Sequence, residues 1–169
     1  MRRIRLIMCL SALFLFATSY GQNEKFKALL IYNFTKYIEW PKAMQKGDFA
    51  IGVLGSPGLV NELSIIASRQ KVGVQPIVIK IISSVTEIPP CHILYLAGSK
   101  SLLLGETLTA LRKVNTLVIT DGPGLVHLGA GISFVTDGAK MNFEINKFNI
   151  EKHRLIVNNT ILALGIPVN

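Results

Sequence analysis

The side chains able to do chemistry in this chain are few and far apart. His92, His127 and His153 are its three imidazoles. None has a histidine, cysteine or carboxylate two, three or four residues downstream, the spacing a local zinc site needs. Cys91 adjoins His92, but neighbouring residues of a strand point to opposite faces, so the two cannot form a thiolate–imidazole pair. No G-x-S-x-G elbow is present to present a nucleophilic serine. Gly122-x-Gly124 follows an apolar run, yet the third glycine of a dinucleotide fingerprint is replaced by His127, and no Walker lysine accompanies it. These glycines read as turn residues tolerant of positive φ.

Asp121 closes a strand-like run, which places it on the rim where open α/β sheets bind ligands. Glu144 lies in the run FEIN, on the face opposite Phe143 and Ile145 and shared with Asn142. A carboxylate there calls for an amine or guanidinium partner, or else for a solvent-facing place on an edge strand. Trp40, beside Tyr37 and Pro41, ends the first helical segment. It serves either the core or an interface, where tryptophan often carries much of the binding energy.

The elements that must position these groups follow from hydrophobic periodicity. Residues 24–40 predict a helix with Phe26, Leu29, Leu30, Asn33, Phe34, Tyr37 and Ile38 on one face, stopped by Pro41. Strands are predicted at 49–54, 77–82, 91–97 and 116–120, and helices at 58–69 and 99–113. The second of those helices would use Leu102, Leu103, Leu104, Leu108 and Leu111 as its core. Asp137-Gly138 between the runs 131–136 and 140–145 predicts a β-hairpin. Short helical turns follow at 147–153 and 158–164, with Asn158 or Asn159 as cap of the last. Cys91 opens the apolar run CHILYLA and is expected in the core. The fold class is therefore a three-layer α/β/α domain, with a mixed, mostly parallel sheet and an antiparallel C-terminal hairpin.

The chain begins with Arg2, Arg3 and Arg5, then a run of about 11 mostly apolar residues from Leu6 to Phe16, then Ser19 and Gly21. That order describes a secretory signal peptide, 1–21, and the run is shorter than the ~20 residues of a membrane-spanning helix. The mature single domain would be 22–169. Three of the eighteen basic residues lie before residue 22, leaving fifteen against ten acids, a net charge of +5. The lysines are scattered, which speaks against nucleic acid as a partner. Only Cys91 remains after cleavage, so no internal disulfide forms.

Three blocks together resemble the YfiR-like family of periplasmic proteins: KALLIYNFTKYIEWP (27–41) with AIGVLGS (50–56), CHILYL (91–96), and LVITDGPGLVHLGAGISFVTDGAKMNFEIN (117–146) with LIVNNTILALG (155–165). The resemblance implies an α/β fold that often dimerises, a periplasmic location and no enzymatic activity, and the residues themselves lead us to expect no cofactor or metal. It implies repression of an inner-membrane signalling protein, a diguanylate cyclase or a sensor kinase, through its periplasmic region. It also implies a cysteine pairing between the positions that are here Gly52 and Cys91, which Gly52 removes from this chain. The residues expected to contact a partner or ligand are Trp40, Glu144, Asn146 and Ile150. A periplasmic small-ligand-binding role, using a crevice near Asp121–Gly124, is the alternative.

Overall fold

A computed structural model describes residues 22–138 and 140–169; the expected signal peptide lies outside the described residues. In chain order the elements are α1 (22–34), β1 (Ile38–Glu39), β2 (Phe49–Leu54), α2 (Pro57–Ala67), β3 (Lys71–Val72), β4 (Gln75–Ile82), β5 (Ile93–Leu96), α3 (Leu104–Ala110), β6 (Leu117–Asp121), β7 (Ile132–Asp137), β8 (Lys140–Ile145), α4 (Lys147–Lys152), β9 (Ile156–Val157), α5 (Asn159–Leu164) and β10 (Ile166–Pro167). Eight strands form one sheet in the order β10-β8-β7-β6-β5-β2-β4-β3. From β4 through β2, β5 and β6 to β7 all neighbours are parallel, while β7–β8 and β3–β4 are antiparallel. β1 and β9 make a separate antiparallel pair.

The continuous apolar runs of β2, β5 and β6 are explained by burial on both faces. One face carries Phe49, Ile51, Val53, Ile93, Tyr95 and Ile119 against Ala28, Ile31 and Phe34 of α1 and Leu59 and Leu63 of α2. The other carries Ala50, Leu54, Leu94, Leu96 and Val118 against Leu104 and Leu111 at the two ends of α3. Side chains as completely buried as Leu59 and Leu63 each contribute about 1.5–3 kcal/mol. α2 starts cleanly because the Ser56 side chain accepts from the Leu59 amide and Pro57 sits at the first helical position. The result is the expected three-layer α/β/α fold with its C-terminal hairpin.

Three local expectations are corrected. α1 ends at residue 34. Its last turn tightens through bonds from Thr35, Lys36 and Tyr37 amides to the carbonyls three residues back, and Ile38–Glu39 then pair with β9. Its inward face is Glu24, Lys27, Ala28, Ile31 and Phe34, whereas Phe26 and Leu29 are exposed. The helix expected over 99–113 is a 3₁₀ segment, Gly98–Leu103, followed by the short α3, and Leu102 is fully exposed.

Candidate functional site

Two regions concentrate the polar side chains of the fold. The first lies at the carboxyl ends of β2, β5 and β6. Going from β2, the chain reaches β4 on one side and later β5 on the other, so the winding reverses between β2 and β5. Such a reversal leaves a crevice beyond the strand ends. Here the crevice has a volume of about 180 Å³ and is walled by Glu24, Ser56, Gly58, Tyr95, Gly98 and Asp121. Gly98 is required, since a Cβ on it would lie 2.7 Å from the Asp121 carbonyl oxygen.

Across this crevice α1 delivers two buried charges. Lys27 Nζ lies 2.6 Å from Asp121 Oδ2 and 3.1 Å from Glu24 Oε1. Tyr95 donates to the same Asp121 oxygen at 3.1 Å, and Ser56 donates to Glu24 Oε2 at 2.9 Å. Burial alone would lower the Lys27 pKa. The hydrogen bond and charge of Asp121, then those of Glu24, outweigh it and hold the ammonium above its ordinary value. The cluster thus fastens the N-terminal helix to the sheet. Asp121 was legible in the sequence as a rim residue; Glu24 and Lys27 were not, because a charged pair on a helix ordinarily reads as its solvated side.

The second region is the C-terminal block. Glu144 is half-buried, and its carboxylate accepts from the Gly124 amide at 2.9 Å. Its partner is a backbone N–H, neither the cation nor the open solvent considered from sequence. Asn146 is buried and caps α4, its side chain accepting from the Asn149 amide at 3.0 Å. Asn149, which the sequence reading passed over, donates to the carbonyls of Val126 and Ala130 at 2.7 and 3.0 Å. The repeated Asn at 146 and 149, cap and third helical position, was the available signal. Ile150 is buried so tightly against Gly131 that a Cβ there would lie 2.8 Å from its Cγ1. Together these residues clamp the loop 122–131 to β8 and α4. What the clamp exposes is apolar: Leu128 is 68 % and Phe148 65 % accessible.

Trp40 stands apart, at the amino ends of the strands. It is buried, packs edge-on against Phe49 at 5.0 Å, and donates from Nε1 to the His92 carbonyl at 3.0 Å. His92 stacks on Phe49 at 4.3 Å and accepts from the Ala50 amide at Nδ1, which leaves Nε2 to donate to Met44 O at 2.8 Å. Burial holds its pKa below the ordinary value, as suits a neutral structural imidazole. The four expected contact residues therefore divide: Glu144, Asn146 and Ile150 are brought together, and Trp40 is not. Among the described residues no group of three His, Cys, Asp or Glu side chains could hold a metal ion, and no helix is long and apolar enough to cross a membrane.

Residues 24–166 match the profile of the YfiR/HmsC-like family. The chain belongs to that family. The family as a whole is one of periplasmic regulators of cyclic di-GMP signalling. The fold also resembles the crystal structure of a conserved domain protein from Vibrio cholerae O1 biovar El Tor strain N16961, at 14 % identity and a TM-score of 0.60. The match covers 86 % of this chain and 60 % of that one, so the chain spans about three-fifths of that neighbour's length. No curated protein sequence matches the chain. A Cβ at Gly52 would lie 3.5 Å from Cys91 Sγ, but also 2.6 Å from Ile82 Cδ1 and 3.1 Å from Leu94 Cδ1. Cys91 itself is buried and unpaired with another cysteine, and burial pushes its thiol up to about 11.

Proposed function

We propose that this protein is a periplasmic repressor that docks on the outer region of an inner-membrane signalling protein, a diguanylate cyclase by preference over a sensor kinase. It shifts that protein's on–off equilibrium by binding one state better than the other, since equal binding to both would shift nothing. The observation that carries this reading is the C-terminal block. Glu144, Asn146, Asn149 and Ile150 spend their hydrogen bonds and packing on fixing two elements, and those elements hold Leu128 and Phe148 out to solvent. Exposed apolar side chains on a rigid support are what a protein-binding surface requires. In this reading Glu144, Asn146 and Ile150 position the surface from behind, and Trp40 is a core residue packed on Phe49 and bonded to the His92 carbonyl.

The test is capture from detergent-solubilised inner membranes by the purified exported protein, beside Glu144→Arg and the double variant Leu128→Asp/Phe148→Asp. Retention of a cyclase or kinase by the wild type, lost in both variants while their circular dichroism stays native, is the expected outcome. Equal retention by all three would overturn the surface. Unchanged cyclic di-GMP in cells lacking the protein would overturn the regulatory role with a cyclase as target.

A further inference from the structure

Beside Leu128 and Phe148 runs a groove of about 440 Å³ between α3, the turn 125–129 and α4. Leu108 and Leu128 form its apolar wall, and Arg112, Lys152 and His153 its rim. No aspartate or glutamate lines it. Lys152 Nζ sits 4.5 Å from the centre of the Phe148 ring, so the cation and the exposed aromatic form one surface. Neither Arg112 nor Lys152 has a carboxylate within ion-pair distance among the described residues. The acid next to Lys152, Glu151, faces Lys147 instead at 3.8 Å. His153 has Nδ1 against the Val114 carbonyl at 2.9 Å, which holds that side of the rim in place. A concave apolar floor with one sign of charge around it selects a ligand that is apolar along one side and anionic along the other.

Resting on the regulatory reading above, we propose that this groove receives an acidic amphipathic segment of the partner's periplasmic region. Its apolar side chains would pack on Leu108, Leu128 and Phe148, and its carboxylates would meet Arg112 and Lys152. The charges supply orientation and encounter rate, and the apolar contacts supply most of the residence time.

The test uses two synthetic helical peptides with the same Leu/Phe face, one with Glu and one with Lys on the other face, titrated into the purified exported protein. Phosphatidylglycerol vesicles form a third arm. The Glu peptide is expected to bind about tenfold more tightly than the Lys peptide at low salt, and added salt should erode the difference. Arg112→Glu/Lys152→Glu, both exposed positions, should reverse the preference without lowering the melting temperature. Equal binding of the two peptides, a preference unmoved by the charge reversal, or binding to the vesicles alone would overturn the proposal. Its failure is separable from that of the regulatory reading. Membrane capture that needs Leu128 and Phe148 yet survives the charge reversal sinks only the acidic segment. A peptide preference that holds while no signalling protein is captured sinks the regulatory role.

Discussion

The crevice under α1 and the face around Phe148 use their polar groups in opposite directions. In the crevice every charge turns inward: Lys27 meets Glu24 and Asp121, Tyr95 meets Asp121, and Ser56 meets Glu24. At the C-terminal face the side-chain amides and the Glu144 carboxylate also turn inward, but they grip backbone rather than one another, and the cations Arg112 and Lys152 turn out with no carboxylate partner among the described residues. A closed ionic cluster holds a helix in place and offers little to a visitor. A clamped loop and helix, with apolar side chains and unmatched cations on the outer side, has its interactions still to make. The contrast teaches that in this fold the polar residues nearest the strand ends serve architecture, and the binding surface is built from the residues they support.

The severest way to break the comparison is to remove the cation from the closed cluster. Lys27→Met leaves Glu24 buried without its charge partner, and breaking a buried pair in this way costs about 3–5 kcal/mol. Asp121 is partly open to water, which argues for the lower end. Urea unfolding should show the loss, while membrane capture by the folded fraction should be unchanged. A loss under 1 kcal/mol would mean the cluster is not the fastening of α1.

A gentler version uses pH. The folded pKa of Lys27 is raised, so its stabilising contribution is complete below about 10.5, the unfolded value, and disappears as pH rises through the folded value. Cys91 acts in a neighbouring window. Its thiol is pushed up from 9.0 to about 11, so the folded state keeps a proton the unfolded chain gives up, and stability falls between those two values. By linkage that is on the order of 2–3 kcal/mol. Cys91→Ala should therefore move the onset of alkaline unfolding upward, and Lys27→Met added to it should flatten what remains. An alkaline limb identical in wild type and Cys91→Ala would contradict the burial of the thiol.

The second region breaks more cheaply. Asn149→Ala leaves the buried Ala130 carbonyl without its side-chain donor and the Val126 carbonyl with only the 3.3 Å bond from the Gly129 amide, at a cost of about 2 kcal/mol. Hydrogen exchange should speed up within 122–131 first, and capture should weaken although neither Leu128 nor Phe148 is touched. Faster exchange spread evenly over the sheet would deny the clamp its local role.

How far each region was legible follows from the kind of interaction that builds it. β2, β4, β5, β6 and the β7–β8 hairpin stand out in the sequence because long apolar or alternating runs, and Asp137-Gly138, carry their own signal. Of the four two-residue strands, β1, β9 and β10 carry none, since they exist only where a distant segment happens to lie alongside. The inward face of α1 was misassigned because Glu24 and Lys27 count as surface residues by type, and only Asp121, 94 residues beyond Lys27, makes them interior ones. Leu102 erred the other way: periodicity counted it as core, and the 3₁₀ segment turns it to solvent. Glu144 stands out as a carboxylate within an apolar strand, and Asn146 and Ile150 through resemblance to a family block. Their role as supports depends on contacts with residues 124 and 131, which no local pattern predicts.

The smallest expected change in stability carries the most information about function. Phe148 is 65 % accessible, so Phe148→Ser should alter folding free energy by no more than about 0.5 kcal/mol. If the ring anchors a partner, the same substitution should cost about 2 kcal/mol of binding, some thirtyfold in affinity. Lys152→Gln keeps the ring and removes the cation poised over it, and should fall between wild type and Phe148→Ser in affinity with melting unchanged. Measured side by side with Lys27→Met, the pair forms a double dissociation: one variant loses stability and keeps capture, the other keeps stability and loses capture. If Phe148→Ser instead unfolds the domain as Lys27→Met does, the ring belongs to the architecture, and the division between an inward-facing and an outward-facing region fails.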